Sequence, residues 1–212
     1  MMPICFVFGA GPPPDCPPEI SAQDIVIAAD GGYLYTQSAG IRADAVVGDF
    51  DSLGGVPEHR PDGPFVMQLP KEKDQTDTFA ALKYGQERGF KCFHIYGGVG
   101  GRLDHTLANI QCLTFLLNHG ARGYLHDRDT VATALKTGVW LAPRESGVIS
   151  VFALGGSAEG VCLRGFKYEL EDAALTTDFP LGVSNEFIGQ SAYVGVERGN
   201  LLIIYPTGTQ EC

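Results

Sequence analysis

The sequence predicts an α/β domain followed by an all-β domain. Three observations carry that prediction: short apolar runs alternating with helix-compatible stretches, the loss of helical periodicity beyond Asp129, and Gly-rich turns between β-rich runs thereafter. The run Ile4–Phe8, ending at Gly9-Ala10-Gly11, suits a buried first strand that delivers the chain to a turn. Ile25–Ala29, 45–47, 65–69, Cys92–Tyr96 and 123–125 continue the rhythm of βαβ units around a parallel sheet. Apolar residues at 103, 107, 110, 113 and 117 form a stripe that predicts an amphipathic helix, and a second helix is expected over 76–87. Later runs at 148–154, 161–166 and 201–205 read as strands. Residues 193–196 lead through Glu197-Arg198-Gly199-Asn200 into 201–205, the pattern of a hairpin. The boundary falls near 128–138, giving an α/β domain over 1–130 and a β domain over 135–212.

Composition excludes several classes. With 44% apolar residues in 212, the chain can bury a real core, which argues against disorder. Its 28 Gly and 13 Pro follow no Gly-X-Y period and are not gathered in one linker, which argues against collagen. Fifteen basic against 25 acidic residues give a net charge of -10, which disfavours a nucleic-acid binder because that affinity comes from neutralising phosphates. Six cysteines, at 5, 16, 92, 112, 162 and 212, contain no Cys-x-x-Cys pair and read as reduced thiols of a cytoplasmic protein. The apolar start lacks a basic flank, and Pro12, Pro13 and Pro14 interrupt it, so neither signal peptide nor membrane anchor is expected.

In an open parallel sheet, ligands bind beyond the carboxyl ends of the strands. Four segments there combine turns with carboxylates: Asp30-Gly31-Gly32, Gly48-Asp49-Phe50-Asp51-Ser52, Lys73-Asp74-Gln75-Thr76-Asp77, and Gly97-Gly98-Val99-Gly100-Gly101-Arg102-Leu103-Asp104-His105. Each has a plain structural reading. Asp49 and Asp51 suit an Asx-turn, Asp74 an N-cap with Asp77 in the first turn, Asp104 another helix start, and Asp30 a strand end. Capping alone, however, gives no reason for Asp-x-Asp after one strand and Asp-x-x-Asp after another. Clustered carboxylates repel unless a cation joins them, and Mg²⁺ takes hard oxygen ligands beside substrate phosphates. Asp49, Asp51 and Asp77 therefore form a candidate metal edge, with Asp74 a weaker fourth member. The Gly97–Gly101 loop opens a helix, where bare backbone N–H groups can approach phosphate, and Arg102 adds a fork of donors.

These four segments resemble, in order and spacing, those of thiamine pyrophosphokinases, and Ser184-Asn185-Glu186-Phe187 resembles that family's acceptor motif. The resemblance implies a Rossmann-like, mostly parallel α/β domain holding ATP. A β-sandwich that helps bind thiamine would follow, with the site completed across a homodimer. It implies Mg²⁺-dependent transfer of the pyrophosphoryl group of ATP to the thiamine hydroxyl, releasing AMP. Asp49, Asp51, Asp77, Arg102 and Asp104 would be catalytic, Asp104 orienting or deprotonating the hydroxyl and contacting thiamine. ATP would meet Asp30, Gly31, Gly32, Lys73, Asp74, Gly98, Gly100, Gly101, Arg102, His105 and Asn109, and thiamine would meet Ser184, Asn185 and Phe187.

Several residues keep two readings. Lys73 could contact phosphate or balance local acid. His105 and Asn109, on one helix face, could line the nucleotide or make structural hydrogen bonds. Phe187 could pack under a substrate ring or fill the core, and Trp140 and Tyr193 are aromatic alternatives. His59, His94, His119 and His126 show no metal-ligand spacing. The Pro-rich segment 11–18 is a stiff excursion or reshapes the base pocket. Two other functions fit the same residues: a pyrophosphokinase for another acceptor such as a pterin alcohol, and a non-catalytic ATP sensor.

Overall fold

The computed structural model describes residues 2–57 and 61–211. His59 and Cys212 lie outside them. The chain divides into two compact units, Met1–Arg128 and Asp129–Cys212.

The first unit is built on β1 (Ile4–Phe8), β2 (Ile25–Ala29), β3 (Ala45–Gly48), β4 (Phe65–Gln68), β5 (Cys92–Tyr96) and β6 (Arg122–His126). These run in the order β6-β5-β1-β2-β3-β4, with every pairing parallel. Helices α1 (Gly32–Ser38), α2 (Asp77–Glu87) and α3 (Leu103–Asn118) connect them. One sheet face, with Phe6, Phe8, Val26, Ala28 and Val46, is covered by Ile20, Tyr33 and Tyr35. On the other, Gly85 of α2 lies over Cys5 and Phe93, and Leu113 and Leu116 of α3 over Gly123. Both faces are covered, which is why β1, β2 and β3 are continuous apolar runs rather than alternating ones. The chain adds β2, β3 and β4 to one side of β1, then returns to place β5 and β6 on the other. The strand order thus reverses at β1, which is where a parallel sheet opens a crevice at its carboxyl edge.

The helix predicted at 103–117 forms, but of the predicted stripe only Leu113 is fully buried, with Ile110 and Leu117 half-buried. Asn109, Cys112, Leu113 and Leu116 are buried, whereas Leu103 and Leu107 are 74% and 57% exposed. Two leucines in the first turns imitated a core stripe whose actual anchor is polar. Helix α2 begins one residue later than the expected 76, and its N-cap is Thr76 rather than Asp74, the Thr76 hydroxyl accepting from the Phe79 N–H at 3.2 Å.

The second unit contains β7 (Thr130–Leu135), β8 (Val139–Leu141), β9 (Val148–Ala153), β10 (Ala158–Arg164), β11 (Leu170–Leu175), β12 (Gly182–Glu186), β13 (Ala192–Gly195) and β14 (Leu201–Pro206). They pair antiparallel in the orders β12-β9-β14-β7 and β11-β10-β13-β8. The hairpin expected from 193–205 is therefore not one: β13 pairs with β10 and β8, and β14 with β7 and β9. The intervening turn instead bridges back to β10 through Glu159 and Arg198. Its Gly199 has φ of 89°, and a Cβ there would meet the Ser157 backbone. That glycine serves a crossing between sheets, not a two-strand ribbon. Cys5, Cys16, Cys92, Cys112 and Cys162 are thiols. Among the described residues, no helix is long and apolar enough to cross a membrane.

Candidate active site

Every candidate of the first unit except Asn109 lies at the carboxyl ends of β2, β3 and β5 or in the loops and first helical turns beyond β4 and β5. Glycine makes the approach possible. Gly11 donates its N–H to the Gly97 carbonyl at 2.9 Å, and Gly9 donates to Tyr96 at 2.8 Å, so the loop after β1 is laced to the loop after β5. On its other side, a Cβ at Gly31 would lie 3.0 Å from Ala10 Cβ and 3.2 Å from Ser52 Oγ, while one at Gly32 would overlap the Phe8 carbonyl. Gly31 and Gly32 are thus required by packing. In the sequence, Gly9-Ala10-Gly11 reads only as a turn and nothing singles out Ser52. The Gly-Ala-Gly signal was visible, but its importance depends on β1 being the strand where the order reverses.

Two carboxylates share one ammonium, and a third lies nearby. Asp30 has φ of 46°, and its Oδ2 accepts from Ser52 Oγ at 2.7 Å, while its Oδ1 is buried without a hydrogen-bond partner. Gly48 leaves room for it: a Cβ there would press on the Asp30 Cβ at 3.1 Å. Asp49 makes the expected Asx-type turn, its Oδ1 accepting from the Asp51 N–H at 3.2 Å. Phe50, left-handed at φ of 64° and buried, anchors that turn into the core. Lys73 donates to Asp77 at 2.6 Å and to Asp49 at 3.2 Å.

The electrostatics separate the acids. The Asp51 N–H and then Lys73 hold the Asp49 carboxyl below its ordinary range. Burial pushes Asp77 up; Lys73 opposes this, and the charges of Asp49 and Asp30 add to it. Burial opposes protonation of Lys73, but its bonds to Asp77 and Asp49 prevail and raise it. Asp51 stands apart, turned to Lys71 at 2.7 Å with its side chain 59% exposed. Asp74 lines a cavity of about 250 Å³ with Gln75, Thr76, Phe79, Ala108 and Gln111. Among the described residues, no three His, Cys, Asp or Glu side chains are gathered as a ready metal cage.

In the glycine loop, Gly97 and Gly100 take φ of 65° and 80°. Asn109 reaches back from α3 and donates to the Gly98 carbonyl at 2.7 Å; it is a buried structural anchor of the loop. Arg102 grips Asp104 through two bonds, 3.2 Å from Nε and 2.6 Å from Nη2. Asp104 also accepts from the His105 N–H at 3.0 Å, and Arg102 holds its carboxyl below the usual range. The pair is solvent-exposed, so opening it costs little and frees the guanidinium.

In the second unit, Ser184 is exposed on β12 with φ of 61°. Asn185 is buried and fully engaged: Nδ2 donates to the Tyr168 carbonyl at 2.6 Å, and Oδ1 accepts from Tyr168 N–H at 3.0 Å and Glu186 N–H at 2.9 Å. Its amide clamps the Tyr168 turn, leaving its hydrogen bonds inside the fold. Phe187 is 3% exposed and packs edge-on against Phe166 at 5.3 Å, so of its two readings the core one is observed. Trp140 is half-exposed beside Tyr193 at 5.0 Å.

A family model described as thiamin pyrophosphokinase, catalytic domain, matches residues 17–125, and one described as thiamin pyrophosphokinase, vitamin B1 binding domain, matches 141–201. Thiamine pyrophosphokinase of Bacillus subtilis (strain 168) is 29% identical over 206 residues, 93% of this chain and 96% of that protein. The crystal structure of the thiamine pyrophosphokinase from Bacillus subtilis superposes with a TM-score of 0.83 at 28% identity, covering 97% of this chain and 99% of that one. That of the thiamin pyrophosphokinase from Geobacillus thermodenitrificans gives 0.80 at 27% identity, covering 97% and 98%. With both of its units matched by that family's models, the chain belongs to the thiamin pyrophosphokinase family.

Proposed function

We propose that this chain is an ATP-dependent thiamine diphosphokinase. The thiamine hydroxyl oxygen attacks the β-phosphorus of ATP, the bond from that phosphorus to the α–β bridging oxygen breaks, and AMP departs with that oxygen. The observation that carries the reading is the bridging of Asp49 and Asp77 by Lys73, with Asp30 near enough to act on Asp77, beside a glycine loop where the strand order reverses. The parallel sheet supports a Rossmann-like first unit, and two antiparallel sheets with alternating burial support a sandwich in the second.

The residues fit Mg²⁺. Asp49 and Asp77 present carboxylates, and Asp30 adds a buried acceptor oxygen with no other partner, a hard-oxygen donor set. Asp51, paired outward with Lys71, would join the edge by turning from that lysine, and Asp74 would support it. When bound, Mg²⁺ would neutralise phosphate charge and orient the β-phosphoryl group. The backbone of Gly98, Gly100 and Gly101 holds phosphate oxygens, and Arg102 adds charge-assisted bonds that stabilise the charge developing on them. Asn109 keeps that loop in place, and His105 flanks it.

Asp104 changes role with Arg102. While bonded to the guanidinium it is a poor base; once Arg102 turns to phosphate, its carboxylate is released to accept the hydroxyl proton. Thiamine selection is assigned to Ser184, with Asn185 and Phe187 shaping its surroundings from within. A homodimer with shared sites is supported by exposed Leu181 and Val183 on and beside the edge strand β12. Reduced thiols support a cytoplasmic setting.

The test is incubation of purified protein with thiamine, ATP and Mg²⁺, with chromatographic quantitation of all products. Equimolar thiamine diphosphate and AMP are expected. ADP with thiamine monophosphate, or no thiamine product at all, would refute the reaction.

A further inference from the structure

Lys71 and Lys73 stand two residues apart in the loop before α2, yet their environments differ sharply. Lys71 meets Asp51 in solvent with its side chain 73% exposed, whereas that of Lys73 is 13% exposed and its ammonium bridges Asp77 and Asp49. A lysine is withdrawn from water this far only where its charge is matched. The match is more than a pair, because Asp30 lies close enough to influence Asp77 as well. Two carboxylates on separate elements, the turn after β3 and the first turn of α2, are therefore joined by one cation that belongs to the chain itself.

We propose that Lys73 is the resident counter-ion of the carboxylate cluster: its ammonium holds Asp49 and Asp77 together when no divalent cation is bound, and it must withdraw for one to bind. The inference rests on reading that cluster as the cation site. Metal binding is then an exchange rather than an addition. The protein keeps its acids assembled without metal, at the cost of weaker intrinsic affinity for the ion. The flexible four-carbon stem of lysine allows the charge to leave without moving the backbone, which a rigid guanidinium fork would not do as readily.

The experiment titrates the full-length protein with Mn²⁺ alone, by calorimetry and water-proton relaxation, without nucleotide or thiamine. Lys73→Met is expected to bind Mn²⁺ about tenfold more tightly than the parent, the scale of one close charge–charge contact. Lys83→Met, which removes the same charge from α2, should stay within about twofold, the screened effect of a more distant charge. Equal or weaker binding in Lys73→Met, or equal tightening in both variants, would overturn the proposal. In either case, loss of Mn²⁺ binding on Asp49→Asn or Asp77→Asn would leave the cation site standing.

A second measurement uses the unaltered chain, so that misfolding of the variant cannot decide the matter. Acylation of the Lys73 amine, followed by peptide mass spectrometry with Lys91 as reference, should accelerate at least about threefold when Mn²⁺ displaces it from its partners. An unchanged ratio would count against displacement. Absence of Mn²⁺ binding in parent and variant alike would overturn both this proposal and the reading of the site.

Discussion

Asn185 lies in the acceptor motif, yet its amide works inside the fold. Three hydrogen bonds tie it to Tyr168 and Glu186, and the residue is 4% exposed. Removing the side chain leaves the Tyr168 N–H and carbonyl short of partners, which costs about 1–3 kcal/mol for such a group. Asn185→Ala should therefore lower unfolding stability in urea by about that amount, and any rise in thiamine KM should come with it. Ser184→Ala next door should raise thiamine KM while leaving stability within about 0.5 kcal/mol, as for other exposed substitutions. Equal stability of the two variants would remove the clamp role. The same separation of labour explains Phe187, whose ring faces Phe166 in the core. A motif residue can thus govern a ligand through the shape it gives its neighbours.

At the scale of elements, the glycine loop before α3 contains two kinds of glycine. A Cβ at Gly98 would lie 2.6 Å from Leu125 Cδ1 and 3.0 Å from Asn109 Nδ2, whereas at Gly101 nothing lies within 4 Å. Gly98→Ala should cost about 1–3 kcal/mol by overpacking and disturb the anchor Asn109, seen as a lowered melting temperature. Gly101→Ala should melt like the parent but raise ATP KM, because only a bound phosphate would meet the new methyl. An unchanged ATP KM there would detach Gly101 from the phosphate. The elements themselves were largely readable: strands buried on both faces announce themselves as unbroken apolar runs, and α3 by its length. What failed did so for physical reasons. Leu103 and Leu107 matched helical spacing but fall on the exposed side, because the buried face is built around Asn109, a polar anchor that no hydrophobic count detects. The turn at 197–200 has hairpin composition, yet pairing is decided by distant strands β8, β10, β7 and β9, which local pattern cannot see. Asp49, Asp51 and Asp77 were legible as a group because they lie beyond neighbouring strands, but the sequence could not show that Lys73 bridges Asp49 and Asp77 while Asp51 turns out to Lys71. Asp30 and Ser52 needed the sheet order to bring their loops together.

The stability of the whole molecule should carry the signature of two histidines that play no part in the site. His94 on β5 and His126 on β6 stack at 4.9 Å, and their Nδ1 and Nε2 atoms share a hydrogen bond at 2.9 Å. Tyr96 lies flat on His126 at 4.3 Å, and Tyr124 and Phe6 contact His94. Burial pushes His94 down to about 4, with the Asp24 charge opposing, and pushes His126 down to about 3, helped by any charge on His94. Both are therefore neutral in the folded protein at pH values where the unfolded chain, titrating near 6.5, takes up protons. Below that value the unfolded state binds more protons than the native state, so stability falls with falling pH, and the loss ends only near the folded values. Asp24, Asp49, Asp104, Glu171 and Asp178, all held low by their donors, lose their contributions at lower pH, as their own carboxyls protonate. The interval from about pH 6.5 to about 5 is thus dominated by the histidines, with Asp77, pushed up by burial, acting in the opposite sense. Urea unfolding should show a loss on the order of 1–2 kcal/mol per histidine across it. In His94→Phe/His126→Phe, which keeps an aromatic stack without the titrating nitrogens, the curve should be nearly flat there and steepen only once the carboxylates protonate. A parent curve as flat as the double variant's would mean that acid reaches these rings in the folded state. The sheet around β5 and β6 would then have to admit water without unfolding.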